Sequence, residues 1–162
     1  MFANGLLMGK ILASAPATIP IRIEDGDKPS CAAVKTINKS INSAARTITK
    51  TKLTDKVRSN VVLERAGLRS LNETVASTMA MTVWKSKNAM NPLGKCLFPE
   101  RSTSRITRSV NSLSATQPVP GYDVLATNLM ARAWNSVPGL ITSKTQGEAK
   151  RMILTWAKTL PK

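Results

Sequence analysis

The chain has 162 residues, 24 Lys+Arg against 9 Asp+Glu, no histidine, two cysteines and a formal charge of +15. That length suits one domain, or one domain with a tail, and the 42% hydrophobic content argues against a wholly disordered chain. Without histidine, imidazole acid–base catalysis, histidine-containing triads and His-ligated metal sites are excluded, and Cys31 and Cys96 alone cannot build a four-cysteine zinc site or a disulfide scaffold. The two cysteines are expected to be reduced packing residues.

A pI of about 10.6 dominates the remaining signal. Self-repulsion at this charge disfavours a compact state unless something anionic neutralises it. Nucleic acid is the expected partner, through phosphate contacts and counterion release. An anionic membrane surface and a larger basic assembly are the alternatives. Lys35 to Arg108 carries 15 basic residues and 4 acidic ones, a net of +11. No run approaches the ~18 uninterrupted apolar residues of a membrane span. Nucleic acid is favoured over the alternatives, and no membrane is expected as the partner. Phe2 to Ala15 is apolar and ends in Ala13-Ser14-Ala15, like a signal-peptidase site. However, no positive charge precedes it and Lys10 interrupts it. A mitochondrial presequence would have only Lys10 and Arg22 for its charge. An ordinary buried helix over residues 2–14, closed by Pro16 and Pro20, is the expectation.

Residues 15–31 read as a connection, with a brief extended piece where Ile19, Ile21 and Ile23 alternate. Val34 to Lys50 is the cleanest helical pattern. At about 100° per residue, Val34, Ile37, Ile41, Ala44, Ala45 and Ile48 share one arc. Lys35, Lys39, Arg46 and Lys50 fall on the other side, in a line about 22 Å long. A solvated helical face normally mixes charge signs to gain i,i+4 pairs, and this stripe has no acid in it. Thr49 to Arg58 is a basic connector, with Asp55 as the expected cap of a short helix over Val57 to Ala66. Gly67 suits a left-handed helix end.

Ser70-Leu71-Asn72-Glu73 reads as a capping box. The helix after it, about 15–18 residues long, takes its apolar side from Leu71, Val75, Met79 and Val83, with Trp84 adjacent. Asn91 to Pro120 is broken by proline and rich in Ser, Thr and Arg. Residues 99–120 are therefore the expected linker, or an arm carrying Arg101, Arg105 and Arg108 that orders on a polyanion. Tyr122 to Trp134 predicts another helix, with Leu125, Leu129, Met130 and Ala133 on one side, broken by Asn135 to Gly139. A second capping box at Thr145–Glu148 opens a helix to about Thr159. Its stripe is Ala149, Met152, Ile153, Trp156 and Leu160, with Arg151, Lys158 and Lys162 pointing away. The expected fold is all-α: five to six helices in a small bundle with a flexible Ser/Arg-rich connector. Its regions are 1–33 (apolar helix and connector), 34–98 (basic helical region), 99–120 (linker) and 121–162 (helical tail).

Catalytic patterns are missing. The only adjacent acids, Glu24-Asp25, lie in a Gly/Pro connector, whereas a two-metal polymerase or nuclease needs carboxylates that hold two ions a few ångströms apart. There is no Walker loop, dinucleotide fingerprint or Gly-X-Ser-X-Gly elbow. The chain therefore reads as non-enzymatic, with no cofactor and no small-molecule substrate. Trp84, Trp134 and Trp156 each sit beside an apolar helical stripe, so they are expected to anchor the core rather than stack on bases.

Three stretches carry a family resemblance. Ile37-Asn38-Lys39-Ser40-Ile41-Asn42-Ser43-Ala44-Ala45-Arg46-Thr47-Ile48-Thr49, followed by Leu53-Thr54-Asp55, is similar to an Asn…Ala-X-Arg-X-Ile-Thr-Gly stretch and a Leu-X-Asp segment. Ala66-Gly67-Leu68-Arg69-Ser70-Leu71-Asn72 looks like a Gly-Leu-Pro-Ser-Leu turn leading into a helix with a Trp such as Trp84. Ala131-Arg132-Ala133-Trp134-Asn135-Ser136-Val137-Pro138 is similar to an Arg-X-Trp-Asn-Ser-Leu-Pro signature that precedes a final basic helix. Together, over residues 34–160, the chain resembles the region that follows the palm in reverse transcriptases of non-LTR (LINE-type) retrotransposons. Arg69 stands where that family often has proline, and Lys50 where it often has glycine. No palm aspartates, zinc knuckle or endonuclease residues accompany the match.

The resemblance implies a thumb-like and C-terminal helical part that grips template RNA or an RNA–DNA duplex. It also implies the palm of the polymerase as a partner, and a nuclear location. The residues expected to contact phosphates are Lys35, Lys39, Arg46, Lys50, Lys52, Lys56 and Arg58, with Arg101, Arg105 and Arg108 on the arm, and little sequence preference is expected. The alternative is a basic scaffold that docks an acidic protein surface.

Overall fold

A computed structural model describes residues 22–23, 32–88, 96, 98 and 126–160. Among these residues the fold is all-helical, with no strand. Its elements are α1 (Ala32–Thr49), a 3₁₀ turn (Leu53–Asp55), α2 (Ser59–Arg65), α3 (Leu71–Asn88), α4 (Ala126–Ser136), a second 3₁₀ turn (Leu140–Thr142) and α5 (Gln146–Ala157). The expected helix over residues 2–14 and the linker over 99–120 lie outside the described residues.

Helix α3 is the central element, packed chiefly against α4 and α5. Its predicted stripe is buried: Leu71, Val75, Met79, Val83 and Trp84 all face the core. Ala76, Ser77 and Ala80 are buried as well, so α3 is covered on more than one side. Small side chains there let a neighbouring helix approach closely; such axes lie about 8–10 Å apart. Leu129, Ala133 and Trp134 of α4 and Ala149, Ile153 and Trp156 of α5 complete the same core, together with Leu140 and Leu160. Each large side chain fully buried here contributes roughly 1.5–3 kcal/mol. Helix α1 packs on α2 and, less extensively, on α3; Val34 and Ile41 join the main core and Ala45 is buried, while Ile48 at the end of the predicted apolar arc remains 49% exposed.

All three tryptophans are core anchors, at 8%, 3% and 8% exposure for Trp84, Trp134 and Trp156. Trp84 Nε1 donates to Ser143 Oγ at 2.8 Å, and that hydroxyl donates onward to the Leu140 carbonyl at 2.6 Å. This ties α3 to the 3₁₀ turn ahead of α5. Lys87 Nζ sits 5.3 Å from the centre of the Trp134 ring, within cation–π range. The Asn72 side chain bonds the Arg22 backbone in both directions at 2.9 Å, which holds Ile23 against the core.

The helix ends are closed by local hydrogen bonds. Ser70 Oγ accepts from the Glu73 amide, the hydroxyl half of the expected capping box. Thr145 Oγ1 accepts from the Glu148 amide, while the Glu148 carboxylate reaches one residue further back than expected, to the Lys144 amide. Gly67 closes α2 at φ +66°, with the Gly67 amide donating to Glu64 O and the Leu68 amide to Leu63 O, a Schellman motif.

Two expectations are corrected. Asp55 does not cap α2, which starts at Ser59 after Arg58; its carboxylate accepts from the Lys52 amide at 2.8 Å and closes the 3₁₀ turn instead. Cys96 is a free, exposed thiol rather than a packing residue, and Cys31 lies outside the described residues.

Candidate nucleic-acid interface

The C-terminal half of α1 and the connector after it form one side of an open groove of about 620 Å³. Lys39, Arg46, Lys50 and Lys52 line it, with Ser59 at the start of α2, and no lining residue is acidic. Helical spacing brings Lys39, Arg46 and Lys50 to one side of α1. The reversal of the chain after Lys50 adds Lys52, which no helical period could place there. No carboxylate among the described residues pairs with any of these cations. Asn42 lines the same groove, and its Oδ1 has no hydrogen-bond partner.

The reversal is built by a second Schellman motif. The Lys50 amide donates to Thr47 O and the Thr51 amide to Arg46 O, with Lys50 itself at φ +54°. Thr49 Oγ1 donates to Ala45 O, and it lies 2.8 Å from Thr51 Oγ1. Lys56 also takes a left-handed conformation, at φ +50°, just after the 3₁₀ turn.

Arg46 has a second duty. Its Nη1 donates to the Lys52 carbonyl at 3.0 Å and its Nη2 to the Val57 carbonyl at 2.9 Å. The guanidinium therefore staples the connector to α1 while keeping its charge, because its two partners are neutral. Cations at a helix C-terminus also gain about 0.3–1 kcal/mol from the helix dipole. That gain applies to Arg46 and Lys50. It does not reach Lys39, nearly three turns from the helix end, or Lys52, beyond it.

The other expected contacts are placed as follows. Lys35 is exposed one turn before Lys39 on the same side of α1. Lys56 and Arg58 are exposed on the connector but do not line the groove. Arg101, Arg105 and Arg108 lie outside the described residues. Leu53 of the Leu-X-Asp segment, 82% exposed, also lines the groove, a place its sequence context did not indicate.

No family model, curated protein or solved structure matches this chain. Among the described residues no group of three or more Cys, Asp or Glu side chains is arranged to hold a metal ion. No described helix is long and apolar enough to cross a membrane.

Proposed function

We propose that the chain is a non-catalytic nucleic-acid-binding unit, akin to the post-palm region of non-LTR retrotransposon reverse transcriptases. In this reading it grips template RNA or an RNA–DNA duplex through phosphates at the α1 groove. The observation that carries the reading is the convergence of Lys39, Arg46, Lys50 and Lys52 on one groove without a lining carboxylate. Like charges at i,i+4, as in Lys35/Lys39 and Arg46/Lys50, cost about 0.2–0.5 kcal/mol per pair in a helix with no partner. A polyphosphate reverses the sign of that term and gains counterion release. Phosphate contacts position a duplex without reading base edges, so sequence preference is low in this reading.

The left-handed Lys50 adds support for the resemblance. It occupies the position where the family pattern carries glycine, and a glycine-type backbone is what this residue adopts.

The test is fluorescence anisotropy of the full chain with a labelled RNA–DNA hybrid, over a range of salt. The variant is Lys39→Gln/Lys50→Gln/Lys52→Gln, which keeps Arg46 and its loop contacts. Loss of most affinity, with a slope of log K against log salt shallower by roughly 2–3, supports the reading. Unchanged affinity overturns it. Equally tight binding of heparin and acidic peptides, without preference for a duplex, assigns the groove to a protein partner instead.

A further inference from the structure

We propose that a second groove, between α3 and α5, contacts phosphates of the same polynucleotide that occupies the α1 groove; this extends the reading above and rests on it. The groove measures about 300 Å³, and Arg69, Lys85 and Lys150 line it with no acidic residue. Each of these cations is exposed, and no described carboxylate pairs with any of them.

The polar residues between the cations are already committed. Ser77 and Thr78 both donate to the Thr74 carbonyl, and Thr82 donates to the Thr78 carbonyl. These hydroxyl protons are spent on the helix itself, which leaves the three cations and the Gln146 amide as the donors facing outward. The acids nearest in sequence on the two helices are displaced from the groove. Glu148 holds the Lys144 amide. Glu73 lies one turn before Ser77 on α3, about 6 Å along the axis, and does not line the groove. The groove is thus cationic in its donors as well as in its net charge.

Chain geometry sets how far apart the two grooves are. Ser59 lines the first and Arg69 the second. Between them α2 advances about 9 Å from Ser59 to Arg65, and the four residues that follow add at most ~14 Å. The two edges are therefore within about 23 Å. A duplex strand carries one phosphate per ~3.4 Å of axis, so at most about seven base pairs bridge that distance. A duplex of modest length is therefore long enough to cover that separation.

The experiment compares RNA–DNA hybrids of about 6 and about 16 base pairs, the first with phosphates enough to fill one groove and the second more than twice the upper limit of that bridge. For the full-length chain, affinity is expected to rise steeply from the short duplex to the long one. Arg69→Gln/Lys85→Gln/Lys150→Gln is expected to bind the short duplex as the parent does, to lose the gain on the long one, and to have a salt slope shallower by about 2–3 there. Circular dichroism checks the fold, and Lys85→Gln/Lys150→Gln, which spares Arg69, decides the matter if the triple variant unfolds. A variant that keeps both the length gain and the slope overturns the second groove and leaves the first intact. If the Lys39/Lys50/Lys52 variant also binds like the parent, or the parent binds neither duplex, the underlying reading itself is lost.

Discussion

Lys50 and Gly67 occupy the same position in two copies of one helix-ending motif. Each is the left-handed residue after its helix, at φ +54° and +66°, and each is followed by an amide that reaches back to the carbonyl five residues earlier. At Gly67 the backbone conformation costs little, because no Cβ is present. At Lys50 the same conformation costs of order 1 kcal/mol.

Lys50→Gly therefore raises stability while lowering affinity for a polyanion. The expected gain is at most about 0.5 kcal/mol, the strain relieved less the extra freedom of glycine in the unfolded chain. Urea unfolding measures the first effect and anisotropy the second. Lys50→Gln serves as the reference, with the same loss of binding and no gain in stability.

Arg46 separates positioning from charge. Arg46→Gln removes both bonds to the connector and is expected to cost about 1–2 kcal/mol, since bonds from a charged donor are worth more than neutral ones but these lie partly in water. Arg46→Lys keeps the charge and loses the fork that spans two carbonyls, so most of that cost remains. A thermal melt of each variant is the check; equal melting temperatures for parent and Arg46→Lys would show that the fork contributes nothing.

Among the described residues, the two glycines with positive φ differ in their surroundings. A Cβ at Gly67 meets nothing within 4 Å, whereas one at Gly139, at φ +70°, falls 2.9 Å from Met152 Cε. Gly67→Ala is expected to cost about 1 kcal/mol from the backbone alone. Gly139→Ala costs more, by whatever moving the Met152 terminus requires. Denaturant midpoints of the two variants give the order, and the reverse order would refute the packing described around Met152.

The Ser143 hydroxyl accepts from a deeply placed indole N–H. Ser143→Ala leaves Trp84 Nε1 without its acceptor in the core and is expected to cost about 1–3 kcal/mol. Trp84→Phe in the same background isolates the bond from the packing of the ring, because the two costs then couple in a double-mutant cycle.

Much of the bundle was legible because helical periodicity is a strong local signal. The stripes Leu71–Val75–Met79–Val83 and Ala149–Ile153–Trp156 are buried as their spacing implies. The second buried side of α3 was not legible, since Ala76, Ser77 and Ala80 suit an exposed face as well as a crowded one. Asp55 was misread because a carboxylate before a helix resembles a cap, while here the backbone turns tightly enough for it to satisfy the Lys52 amide first. The α1 groove was half visible. Lys39, Arg46 and Lys50 follow one helical period, but Lys52 joins them only through the left-handed turn, and the stapling role of Arg46 depends on carbonyls up to eleven residues away. Arg69, Lys85 and Lys150 come from a loop and two different helices, so no single-segment pattern brings them together.

The depth at which Trp84, Trp134 and Trp156 are held has a practical corollary for optical work. Neither cationic groove has an indole in its wall, so intrinsic emission should be blue-shifted and poorly quenched by iodide while the bundle is intact. It should redden when the bundle melts and stay nearly silent when a polyanion docks, which makes it a clean gauge of unfolding and obliges any titration of ligand to rely on an external dye.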